Sequence, residues 1–154
     1  MFHIILYQPE IPPNTGNIIR LCANSGALLH LIHPLGFNLD DKNLRRAGLD
    51  YHEQACIQQY PDLTACLKPL NYSRVFACST KAQQRYTDVD YQDGDAFLFG
   101  PETRGLPLSV LESLPPSQRL RIPMLPDNRS LNLSNSVAII LFEAWKQLGF
   151  PGGV

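Results

Sequence analysis

Glu102 and Arg104 stand between Gly100 and Gly105 in FGPETRGLP, residues 99–107, directly after the apolar run AFLFG. A carboxylate and a guanidinium on a glycine-bounded loop could shape a binding loop, grip an anion or move a proton. They could equally be ordinary turn residues. The two glycines bracket four residues, the spacing of a phosphate-cradling P-loop, but that motif continues with Lys and then Ser or Thr. Leu106 and Pro107 follow instead. Without the lysine, and with Glu102 turned into the loop, a triphosphate would be repelled. Neither G-x-G-x-x-G nor G-x-S-x-G occurs in the chain, which argues against dinucleotide binding and against α/β-hydrolase chemistry.

Two other segments carry polar groups in places that suit a site. In PEIPPNTGNIIR, Pro12 and Pro13 stiffen the approach to a helix that Asn14 or Thr15 can cap. On that helix Asn17, Arg20 and Asn24 share a polar face, while Ile18, Leu21 and Cys22 point the other way. Such a face is either a site or simply solvated. In IPMLPDNRSLNLSNSV, residues 122–137, Asn128, Ser130, Asn132, Ser134 and Ser136 alternate with other residues, yet Ser and Asn form turns and caps better than strands. This reads as a neutral hydrogen-bonding loop feeding a helix, suited to a nucleoside more than to several phosphates.

The elements that must position these loops follow from periodicity. Apolar runs of strand length fall at 3–7, 28–33, 74–79, 96–100 and 119–123, with helix-like patterns near 16–25, 40–47, 62–68, 107–114 and 134–148. That alternation predicts an α/β fold with a mostly parallel sheet, and 154 residues at 44% hydrophobic content fit a single domain over 1–154. In such sheets ligands gather at the carboxyl ends of strands, which is where all three segments begin. The last helix carries one apolar row, Val137, Ile140, Leu141, Ala144 and Leu148, and a second, Ala138, Phe142 and Trp145. The first can cover the sheet; the second needs a homodimer partner or another helix of the same chain.

Bulk properties narrow the classes. Thirteen Lys and Arg against fourteen Asp and Glu give a net charge of -1, so nucleic-acid binding would rest on local basic clusters. No C-x-x-C pair occurs among Cys22, Cys56, Cys66 and Cys78, which read as reduced core thiols. His30 and His33 have an odd spacing that turns them to opposite faces of a strand, so no metal is expected. The start has no signal-like segment, and the longest apolar run, VAIILF, is too short to span a bilayer. A cytoplasmic protein without membrane contact is expected.

NTGNIIR, then FGPETRGL, then IPM with SLNLSNSV occur together in this order, along with DDKNLRRAGLDYHE. The set resembles the three motifs of the SPOUT superfamily of S-adenosylmethionine-dependent RNA methyltransferases over essentially the whole chain. The compact length is similar to the type that methylates the ribose 2'-oxygen of the wobble nucleotide of leucine tRNAs, cytidine or carboxymethylaminomethyluridine at position 34. The resemblance implies a deep trefoil knot in the C-terminal part of the sheet domain, a site built across a homodimer, and recognition of the tRNA anticodon stem-loop. It places the cofactor against Cys78, Gly100, Ile122 and Ser130. Arg20, Asn14, Glu102 and Asn132 become the candidate catalytic residues, with Arg20 a positive anchor that stabilises the developing alkoxide or grips a neighbouring phosphate before it is a literal base. RNA contacts would come from Lys42, Arg45 and Arg46, with Arg104, Arg119, Arg121 and Arg129 as further candidates. Ribosomal RNA as substrate, or RNA binding without turnover, keeps the same motifs.

Overall fold

The computed structural model describes residues 1–46, 48–54, 56–70 and 73–154. Among them, seven strands form one sheet: β1 (His3–Tyr7), β2 (Leu28–Ile32), β3 (Ile57–Tyr60), β4 (Val75–Cys78), β5 (Gln84–Arg85), β6 (Ala96–Phe99) and β7 (Arg119–Arg121). Their order is β3-β2-β1-β6-β4-β7-β5, and every pairing is parallel. The sheet is therefore more uniformly parallel than expected. β6 is buried throughout because it lies between β1 and β4 with helices over both faces.

Among the described residues, six α-helices accompany the sheet: α1 (Pro12–Ser25), α2 (Asp41–Arg46), α3 (Tyr51–Gln54), α4 (Leu63–Leu67), α5 (Leu108–Glu112) and α6 (Leu133–Gln147). Ile18, Ile19 and Cys22 of α1 and Val137, Ile140, Leu141 and Ala144 of α6 pack on one face with Ile4, Leu6, Phe97 and Phe99. Cys66 of α4 and Leu111 of α5 pack on the other face with Ile5, Ile32, Ala77 and Leu98. The alternation along each strand sets this division, since successive side chains point to opposite faces. The four cysteines are free.

Two strands escaped the periodicity. β3 is an edge strand reading IQQY with both glutamines exposed, and β5 is only two residues long. Each exists because a neighbour offers ladder partners, not because its own sequence demands it. The expected strands 28–33 and 119–123 end at Ile32 and Arg121. Of the expected helix 40–47, residues 41–46 are helical and Ala47 lies outside the described residues.

Helix α1 also begins differently. Its N-cap is Ile11, with no side-chain cap, and Asn14 and Thr15 are buried inside the first turn. The expected capping by Asn14 or Thr15 is thus corrected, and the reason is local. Pro12 and Pro13 occupy the first two positions and have no N–H to satisfy, while the Asn14 and Thr15 amides both reach the Ile11 carbonyl, at 3.1 and 3.4 Å.

Candidate active site

Sheet register brings the three segments together. Leu6 pairs with Phe99, Phe99 with Cys78, and Cys78 with Leu120, so four strands end level along one row. The segments after β1, β6, β4 and β7 leave from that edge, beside the point where the chain turns from building outward on one side of β1 to the other. A cavity of about 400 Å³ opens there, lined by Asn14, Cys78, Gly100, Glu102, Ile122, Ser130 and Asn132 among others. These are seven of the eight sequence-predicted site residues. The eighth, Arg20, does not line it.

Glu102 acts first on backbone. Its carboxylate accepts from the Glu10 amide at 2.7 Å and the Ile11 amide at 3.3 Å. A capping-box glutamate would bond the N-cap amide in the same way, but here the carboxylate comes from a loop 91 residues away. Glu10 reciprocates: its carboxylate accepts from the Thr103 amide at 3.0 Å and the Thr103 hydroxyl at 2.7 Å. The backbone bond from Thr103, then the hydroxyl, hold the Glu10 carboxyl below its ordinary range. Arg104 adds a guanidinium bond to Gln8 Oε1 at 3.3 Å, and Gln8 itself holds a positive φ of 49°. The loop after β1 and the loop after β6 are thereby fixed to each other. Sequence reasoning misses Glu10 and Gln8, because nothing local signals a partner more than 90 residues away.

Gly100 is required by its own loop. A Cβ there would stand 2.3 Å from the Leu106 nitrogen and 2.5 Å from the Gly105 carbonyl carbon, and Gly105 turns the chain with φ +67°. Before any contact with a ligand, this glycine meets a plainer need: the loop must close on itself. Cys78 ends β4 with its thiol pushed up to about 12 by burial, so it is neutral at physiological pH and offers the cavity an apolar wall. Ile122, Met124, Leu131 and Leu133 extend that wall.

Asn132 is the N-cap of α6. Its Oδ1 accepts from the Ser134 amide at 2.9 Å and the Asn135 amide at 3.3 Å, and its Nδ2 donates to Asn14 Oδ1 at 2.9 Å. One amide side chain thus starts one helix and ties it to the first turn of another. Ser130 lies in the exposed approach to that cap.

Arg20 lies on the exposed polar face of α1, as expected, and is held from the 48–53 segment. Its Nε donates to Glu53 Oε1 at 3.1 Å and its Nη2 to the Gly48 carbonyl at 2.6 Å. The other Glu53 oxygen accepts from the Asp50 amide at 2.7 Å, while the Glu53 amide donates to Asp50 Oδ1. This is a capping box, and the D-x-x-E spacing was the sequence signal that could have found Glu53. Of the basic candidates, Arg119 is engaged by the Leu114 carbonyl and Arg121 by the Thr80 carbonyl, whereas Lys42, Arg45, Arg46 and Arg129 are exposed. His30 is buried against His3 Nδ1 and the Tyr60 hydroxyl, and His33, beyond the strand end, meets Gln59, so the two have separate partners.

Known proteins resemble this chain in sequence and in fold. The tRNA (cytidine(34)-2'-O)-methyltransferase of Escherichia coli (strain K12) is 59% identical over 154 residues, all of this chain and 98% of that protein. A solved structure described as "Structural insights into the 2-OH methylation of C/U34 on tRNA" superposes with TM-score 0.89 at 45% identity, covering 97% of each chain. The SpoU methyltransferase AviRb of Streptomyces viridochromogenes, in complex with the cofactor AdoMet, superposes with TM-score 0.81 over 99% of this chain and 58% of its own. At 22% identity that last likeness is one of fold. A family model matches residues 1–142, the stretch that holds all three converging loops, and the chain belongs to the SpoU rRNA Methylase family.

Proposed function

We propose that this protein is a tRNA ribose 2'-O-methyltransferase that acts on the wobble nucleotide, cytidine or carboxymethylaminomethyluridine at position 34, of leucine tRNAs. The observation that carries this reading is the full-length 59% identity to the Escherichia coli tRNA (cytidine(34)-2'-O)-methyltransferase. S-adenosylmethionine supplies a methyl group on a sulfonium, already a good electrophile. The cavity suits it: the Cys78, Ile122 and Leu131 surfaces receive apolar parts, and the Gly100 turn and Ser130 offer neutral hydrogen-bonding groups. Asn14 and Asn132 orient the site through their mutual bond, and Glu102 holds the loops in place.

A guanidinium is a poor proton acceptor, so Arg20 stabilises charge on the attacking 2'-oxygen or grips a neighbouring phosphate. A homodimer brings it to the cavity: a second copy contributes its Arg20, because within one chain that side chain points to the 48–53 segment. The second apolar row of α6 supports this, since Phe142 is 42% exposed and forms an aromatic group with Trp145 and Phe150. The reading includes a single domain over 1–154, the C-terminal trefoil knot of the superfamily, and a cytoplasmic enzyme that recognises the anticodon stem-loop without a metal. No described helix is long and apolar enough to cross a membrane.

The test is mass spectrometry of tRNA incubated with the protein and S-adenosylmethionine, beside Arg20→Ala. A new methyl on the wobble ribose of leucine tRNAs, lost in Arg20→Ala while cofactor binding persists, is the expected result. Cofactor binding with no tRNA gaining mass would move the substrate to ribosomal RNA.

A further inference from the structure

We propose that a second cavity, across the first turn of α1 from the cofactor cavity, receives a nucleobase of the substrate RNA turned out of its stack. The inference rests on the RNA-methyltransferase reading and adds to it a binding site. Asn14 lines the first cavity; the next residue, Thr15, lines the second. This second cavity has a volume of about 410 Å³, within the range of roughly 300–1,000 Å³ typical of small-ligand sites.

Its lining has the chemistry of base recognition. Thr15 is 1% exposed, and its Oγ1 has no hydrogen-bond partner among the described residues. A buried hydroxyl left unpaired is costly and rare, and a base edge pressed against the first turn of α1 would supply the missing partner if that turn yields to admit it. Phe37, half-buried, offers a π-face for stacking. Asn17, Asn38 and Asn43 bring amide groups that both donate and accept. The Asn43 amide nitrogen already donates to the Asn38 carbonyl at 2.9 Å, which leaves its oxygen available as an acceptor. Arg46 lies exposed at the cavity, on the same helix as Lys42 and Arg45, and none of the lining residues named among the described ones is acidic. One cation at the cavity with two more along a helix suits the spaced phosphates of a polynucleotide; a free nucleoside triphosphate would call for several cations on one cluster of oxygens.

The experiment uses the full chain with S-adenosylmethionine and anticodon stem-loop RNAs carrying 2-aminopurine at one loop position at a time. Thr15→Val and Phe37→Ala are compared with the unmodified protein for methyl transfer, cofactor Kd, RNA KM and melting temperature. One loop position is expected to change fluorescence on binding, and the change is expected to be lost in Phe37→Ala. RNA KM should rise about tenfold in Phe37→Ala and about fivefold in Thr15→Val, with cofactor Kd unchanged. Thr15→Val separates ligand contact from structure: deleting an unpaired buried hydroxyl should keep or raise the melting temperature while RNA binding weakens. RNA KM and fluorescence equal to wild type in both variants would overturn the proposal, and so would binding of free cytidine monophosphate that Phe37→Ala abolishes while RNA KM stays unchanged. If the unmodified protein methylates no RNA at all, the functional reading itself fails and this site falls with it.

Discussion

Glu10 and Glu102 each lend a carboxylate to the other's loop, and this exchange is the most specific thing individual residues do at the candidate site. Bonds from backbone amides to a carboxylate are stronger than neutral ones, and each here also fixes which way a loop leaves its strand. Glu102→Ala is expected to cost about 1–2 kcal/mol of stability and to weaken S-adenosylmethionine binding, measured by calorimetry on the purified variant. Glu102→Gln keeps an acceptor oxygen and should recover most of both. If Glu102→Ala bound cofactor as tightly as wild type, the clamp would be structural only. Legibility from sequence was uneven at this scale. Glu102 stood out because a charged residue between glycines at a strand end is unusual, whereas Glu10 read as loop because its partner, Thr103, is distant in the chain.

At the scale of elements, α1 and α6 start in opposite ways. α1 relies on two prolines that remove the amides a cap would serve, and α6 relies on Asn132. That asparagine also donates to Asn14, so two of its functions can be separated. Asn132→Ala should destabilise the protein by about 1 kcal/mol and lower methyl transfer. Asn132→Asp keeps the cap and places a favourable negative charge at the helix start, but loses the donor to Asn14. Thermal melting of the aspartate variant should match wild type while its kcat falls; wild-type kcat would show that the link to Asn14 is not needed for orientation. The 3.6-residue pattern located both helices, but their starts depended on which amides needed partners, and a period does not report that.

Across the whole molecule, three strands share a buried polar chain. His3 Nδ1 meets His30 Nε2 at 3.0 Å, and His30 Nδ1 meets the Tyr60 hydroxyl at 2.9 Å, joining β1, β2 and β3. Burial, then the neighbouring His3, lowers His30 from its ordinary 6.5 to about 4, and His3 is lowered in the same direction by burial and then by the chain's N-terminal charge. Between these values the unfolded chain binds protons that the folded chain does not, so stability rises with pH through that window. On acidification the protein should lose stability from about pH 6.5 down to about pH 4, by up to roughly 3 kcal/mol from His30. Urea unfolding at several pH values would show this, and His30→Gln should flatten the slope; an unchanged slope would place the acid sensitivity elsewhere. The amino-acid sequence by itself determined the alternation of strand and helix, the buried parallel sheet and the three loops that carry chemistry, because periodicity and strand-end position are local properties. Only the tertiary structure decided that Leu6, Phe99, Cys78 and Leu120 lie in one row and so bring those loops to one cavity. It also decided that Arg20 turns away from that cavity toward Glu53, since register and long-range hydrogen bonds depend on residues the local pattern never brings together.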